Sequence, residues 1–99
     1  MRITEDQAEK IRQLTQEIFG SEAELKVFGS RLDDQLKGGD LDLLVKSLTP
    51  LAEPARKSAL LGARVSRLFQ GRKVDVLLIA PNLKYLPIHR IAEKQGEAL

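Results

Sequence analysis

The chain is predicted to form a small α/β (α+β) domain, a mixed β-sheet with helices packed on one face. Three observations carry that reading. Apolar residues recur at helical spacing in three segments. Three short runs rich in Val, Leu, Ile and Phe are bounded by Gly, Pro or Asn, as strands are. The two kinds of segment alternate in the order α-β-(α)-β-α-β-α, which layers helices against a sheet. At 99 residues the chain supports one modest core, so residues 1–99 are expected to be a single minimal domain.

Each element has a local cause. Thr4 and Gln7 have capping-box spacing, and Ala8, Ile11, Leu14 and Ile18 follow at helical intervals, with Phe19 beside them. A helix is expected over about Glu5 to Phe19, stopped by a left-handed Gly20. Glu24 to Phe28 alternates as a strand, with Leu25 and Val27 on one side and Lys26 and Phe28 on the other. Ser30 to Leu36 reads as a short helix or a loop, and Lys37-Gly38-Gly39 as a turn. The second strand, Asp40 to Lys46, is placed to pair with the first. Thr49-Pro50 predicts the next helix start, with the hydroxyl as cap and proline at the first helical position. The apolar stripe predicted for it is Ala55, Ala59, Leu60, Ala63, Val65 and Leu68-Phe69, with Gln70-Gly71 closing it. Lys73 to Ile79 is the third and most apolar strand, and Pro81-Asn82 breaks the chain after it. Leu86 to Gln95 predicts a last helix with Ile88, Ile91 and Ala92 on one face, ended by Gly96.

Composition narrows the function. Sixteen basic and fourteen acidic side chains leave a net charge of +2, and no run of five like charges occurs. A polyanion-binding tail is therefore not expected, and nucleic acid is an unlikely partner. With no cysteine, disulfides and cysteine-ligated zinc are excluded. The polar first residues do not read as a signal peptide, and no stretch reaches the length of a membrane span. No membrane association is expected, and a cytoplasmic location is the default.

The chemistry lies in three carboxylates. Asp40 and Asp42 stand two apart on a strand, so both point to one face, about 7 Å apart by strand rise, while Leu41, Leu43 and Val45 point to the other. Asp75 is set between Val74 and Val76 and points away from them. If its strand neighbours the second, it joins the other two. Converging carboxylates repel unless a cation sits among them. Mg²⁺ suits hard oxygen ligands and bridges substrate phosphates, and a pair of such ions clamps an in-line phosphoryl or nucleotidyl displacement. Gly29 ends the first strand without a side chain, so a phosphate can approach the backbone. Ser30 offers a hydroxyl and an N–H, and Arg31 a forked pair of donors.

The run Val27-Phe28-Gly29-Ser30-Arg31, then Gly39-Asp40-Leu41-Asp42-Leu43-Leu44-Val45, then Val74-Asp75-Val76, resembles the nucleotidyltransferases related to DNA polymerase β. It looks most like their minimal antitoxin-type members, which are paired with HEPN toxins. The resemblance spans essentially the whole chain, the segment from Ile88 to Gly96 resembling the family's closing helix. It implies the nucleotidyltransferase fold, with Gly29 and Ser30 holding the triphosphate and Arg31 as a further phosphate contact. Asp40 and Asp42 would bind two Mg²⁺ ions. Asp75 would complete the metal site on the nucleophile side. The implied activity moves AMP from ATP onto a hydroxyl, most simply a tyrosine of a small helical HEPN-type toxin. Gly39 departs from the family pattern, where Ser often precedes the first Asp.

Other assignments of the same residues compete with this one. The protein could instead block a partner by complex formation, with the acidic cluster a relic or a nucleotide sensor, or transfer to RNA or a small molecule. The lone His89 reads as a surface or boundary side chain. Arg64, Arg67, Arg72 and Lys73 read as a solvated helix edge. Leu83, Tyr85 and Leu86 are either core or an exposed apolar patch.

Overall fold

The structure is a computed structural model that describes residues 3–28 and 41–99. The elements in chain order are α1 (Glu5–Phe19), β1 (Glu24–Phe28), β2 (Leu41–Lys46), α2 (Pro54–Leu68), β3 (Val74–Ile79), α3 (Pro87–Gln95) and β4 (Glu97–Ala98). The strands form one mixed sheet in the order β3-β2-β1-β4. β1 pairs antiparallel with β2 and with β4, whereas β2 and β3 run parallel, joined by α2. The expected α+β class, with helices packed on a small mixed sheet, is the one observed. The expected short helix or loop at Ser30 to Leu36 and the turn at Lys37-Gly38-Gly39 lie outside the described residues.

Hydrophobic alternation positions the strands. Leu41, Leu43 and Val45 are fully buried with Val27, Ile11, Leu61, Val65 and Phe69, in the core between the sheet and the helices α1 and α2. Slipping β2 by one residue would turn all three into the opposite face, so its register is strongly specified. Phe28 and Leu44 point the other way and meet Ala92 of α3, flanked by Leu77 and Ile79. Thus α1 and α2 take one face of the sheet and α3 lies against the second, so helices cover both faces and not the one face expected from the sequence.

Helix α1 begins as its sequence predicts. The Thr4 hydroxyl accepts from the Gln7 N–H, and the Gln7 side chain accepts from the Thr4 N–H. Gly20 ends it with a positive φ of 104°, but its ψ of 157° is extended rather than left-handed helical. That conformation is also one that only glycine adopts without strain.

Several sequence expectations are corrected. Helix α2 starts at Pro54 rather than at Pro50, and Thr49 does not cap it. Proline lacks an N–H and its ring clashes with the carbonyl four residues back, so Pro54 fits the first turn and not a helix already under way. Residues preceding it are held otherwise: the Ser47 hydroxyl donates to the Thr49 carbonyl, and the Asn82 side chain bonds both N–H and carbonyl of Leu51. The buried stripe of α2 is Leu61, Gly62 and Val65, with Leu68 half-buried, while Ala55, Ala59, Leu60 and Ala63 are exposed. The face that carries Leu61, Val65 and Leu68 removes more apolar area from water than one that carries Leu60 and the alanines, and the helix rotates accordingly.

Helix α3 likewise turns a different side inward. Ala92 and His89 are buried, whereas Ile88 and Ile91 are about half exposed, at 45% and 48%. His89 is not a surface residue. Its Nδ1 accepts from the Leu86 N–H at 3.0 Å and so satisfies a free donor at the helix start. Strand β4 was not expected at all. It forms because Gly96 lets the chain turn back onto β1: a Cβ there would stand 2.6 Å from the Ala92 carbonyl and 3.1 Å from the Lys26 Cβ.

Candidate functional site

Asp42 and Asp75 are direct register partners on adjacent parallel strands. Both point to the α3 side, by alternation with Leu44 and Leu77. Their placement follows from packing. Leu41 and Leu43 on β2, and Val74 and Val76 on β3, are drawn into the opposite core, and the intervening carboxylates are turned out beside each other. They lie where β2 and β3 begin and β1 ends, since Phe28 is the β1 partner of Asp42.

A cavity of about 350 Å³ opens at this end of the sheet, lined by Phe28, Asp42, Asp75, Val76, Leu77 and Ile88. Its floor is apolar and its two titratable groups are both carboxylates. Asp42 is half-buried, and Asp75 is 49% exposed. Lys73 brings its Nζ to 4.0 Å from Asp75, an exposed pair of little energetic weight. Two carboxylates thus face this cavity, with an ammonium 4.0 Å from one of them.

Of the residues singled out in the sequence, the structure brings together Asp42 and Asp75. Gly29, Ser30, Arg31 and Asp40 lie outside the described residues. Among the described residues no group of three or more His, Cys, Asp or Glu side chains is placed to hold a metal ion. The described pair supplies two hard oxygen donors, which is the donor type that Mg²⁺ takes. Sequence reasoning missed Phe28 and Ile88 as cavity walls, because an apolar residue in a strand or helix reads as core. It also assigned Lys73 to a helix edge, although its position two residues before Asp75 places both on one side of an extended chain.

No family model and no curated protein matches this chain. Among the described residues no helix is long and apolar enough to cross a membrane.

A second polar cluster lies farther along the same face. Glu93 of α3 accepts from the Lys46 ammonium at 3.2 Å and from the Tyr85 hydroxyl, while its backbone carbonyl accepts from Lys26. The Tyr85 hydrogen bond and then the Lys46 one hold the Glu93 carboxyl below its ordinary range. The same carboxylate raises the Tyr85 hydroxyl, which gives up its proton less readily beside a negative charge.

Proposed function

We propose that this chain is a minimal Mg²⁺-dependent nucleotidyltransferase that moves AMP from ATP onto a hydroxyl of a partner protein, as antitoxin-type relatives of the DNA polymerase β group would. The observation that carries the reading is the pairing of Asp42 with Asp75 at the mouth of an open cavity. The register of the strands sets two carboxylates side by side, and such hard oxygen donors suit a divalent cation.

In this reading Asp42 and Asp75, with Asp40 next along the chain, hold two Mg²⁺ ions, and Gly29, Ser30 and Arg31 take the phosphates. When bound, the ions neutralise charge on the polyphosphate and on the attacking oxygen. The chain's own part is positioning: rigid strands present the carboxylates, and the apolar walls Phe28, Leu77 and Ile88 limit water around the reacting groups. The acceptor oxygen forms a bond to the α-phosphorus. The bond to the bridging oxygen breaks, and pyrophosphate leaves with that electron pair. Asp75 lies on the acceptor side and accepts the hydroxyl proton. The acceptor is a tyrosine hydroxyl of a helical HEPN-type toxin, and AMP addition silences it.

The test is incubation with ATP labelled at the α-phosphate, Mg²⁺ and candidate acceptor proteins. Label should pass to a protein with the native chain and fall to background with Asp42→Asn, which keeps shape and removes a charge. Equal labelling by Asp42→Asn would contradict the proposal, as would label on RNA or a small molecule instead of protein.

A further inference from the structure

We infer that the outer face of α3 docks an acidic protein segment bearing an apolar stripe, and so seats the acceptor over the Asp42–Asp75 cavity. The second half of this statement rests on the nucleotidyl-transfer reading; the docking does not.

The face is defined by what α3 leaves outside. Ala92 and His89 are buried against the sheet, while Ile88 and Ile91 are 45% and 48% exposed. They stand three residues apart on the helix and are therefore neighbours on its surface. Leu86, 43% exposed, extends the patch at the helix start. Ile88 is also a wall of the cavity, so the patch and the carboxylate site share one residue. Whatever covers the patch reaches the cavity mouth.

Charge identifies the occupant. Lys84, Arg90 and Lys94 are exposed beside the patch, and among the described residues none of them is in an ion pair, while on its Ile88 side the patch borders the Asp42 and Asp75 carboxylates. The one acid on α3, Glu93, is turned inward to Lys46 and Tyr85. The rim away from the cavity is thus cationic beside an apolar centre, the complement of a segment with apolar residues along its middle and carboxylates along the flank that lies over Arg90 and Lys94. A second copy of the same face would set these cations against each other. A nucleic acid strand would satisfy the cations but leave the isoleucines unmatched, since among the described residues Tyr85 is the one exposed aromatic.

The experiment uses the full chain and designed peptides of about five helical turns. One carries a leucine stripe at helical spacing with glutamates on its flanks. A second has the same composition with the stripe scrambled, and a third has lysine for glutamate. A single-stranded oligouridylate is the fourth probe. Binding is read by fluorescence anisotropy and by backbone amide shifts. The acidic striped peptide should bind best and move the amides of residues 86–94. Ile91→Glu should weaken it by about tenfold or more, as loss of an apolar anchor does. Lys94→Glu should shift preference toward the lysine peptide.

The inference is overturned if the scrambled peptide binds as tightly, if the oligouridylate binds better, if no probe binds, or if the shifts fall elsewhere. It is also overturned if sedimentation shows a dimer that Ile91→Glu dissolves. Peptide binding unaffected by Asp42→Asn, together with ATP binding unaffected by Ile91→Glu, separates failure of the docking from failure of the nucleotidyl-transfer reading.

Discussion

Asp75→Asn removes one of two neighbouring negative charges and keeps the side chain's shape. Adjacent strands are about 4.8 Å apart, and register partners present their side chains in parallel, so the two carboxylates stand about 5–6 Å apart. Coulomb's law gives their repulsion as about 3 kcal/mol at an effective dielectric near 20, and under about 1 kcal/mol in water. Asp75 is 49% exposed and Lys73 lies 4.0 Å from it, which places the value toward the lower end. Without divalent cations Asp75→Asn should therefore gain about 1 kcal/mol, or about 4–8 °C in melting temperature for a chain of this size. Mg²⁺ at about a hundred times its dissociation constant would add about 2.7 kcal/mol to the native protein and much less to the variant. The order of stability should then reverse on adding Mg²⁺, read by thermal unfolding with and without chelator. A variant that loses stability in chelator, or gains as much from Mg²⁺ as the native chain, would refute the reasoning.

Three further outcomes follow from the packing. Leu61→Ala, at a fully buried site between α2 and the sheet, should cost about 3 kcal/mol in urea unfolding, since the strands around it cannot collapse into the space. Gly96→Ala should detach β4, because its Cβ would meet the Ala92 carbonyl at 2.6 Å; amide exchange at Glu97 and Ala98 should speed up while that of β2 is unchanged. Glu93 has a folded pKa below its ordinary 4.5, so its contribution to stability is present above that value and lost as pH falls through the folded one. Tyr85→Phe removes the largest cause of that depression, and the fall in urea midpoint on acidifying below about pH 4.5 should become shallower.

The parts of the fold legible in the sequence are those where one local signal acts alone. The Thr4–Gln7 spacing and the apolar repeat after it specify α1 without help from elsewhere. The alternation around Asp42 and Asp75 shows each carboxylate opposite a greasy face, and the observed register makes the two faces the same one. What the sequence conceals depends on competition between distant residues. Thr49-Pro50 reads as the helix start, but Asn82 takes hold of Leu51 and the helix begins at Pro54 instead. The rotation of α2 is decided by the relative areas of Leu61 and Ala63, and that of α3 by which small residue, Ala92, fits beneath Phe28 and Leu44. Strand β4 is two residues long and carries no periodicity, so only its partner β1 reveals it.

The central claim, that Asp42 and Asp75 grip a cation carrying a polyphosphate, is tested most directly by Mn²⁺ with a non-hydrolysable ATP analogue, followed by paramagnetic broadening of backbone amides. Broadening should centre on Asp42 and Asp75, reach Phe28 and Ile88, and vanish in Asp42→Asn. Broadening centred instead on the exposed acids of α1, Glu5, Asp6 and Glu9, or unchanged in Asp42→Asn, would contradict the claim.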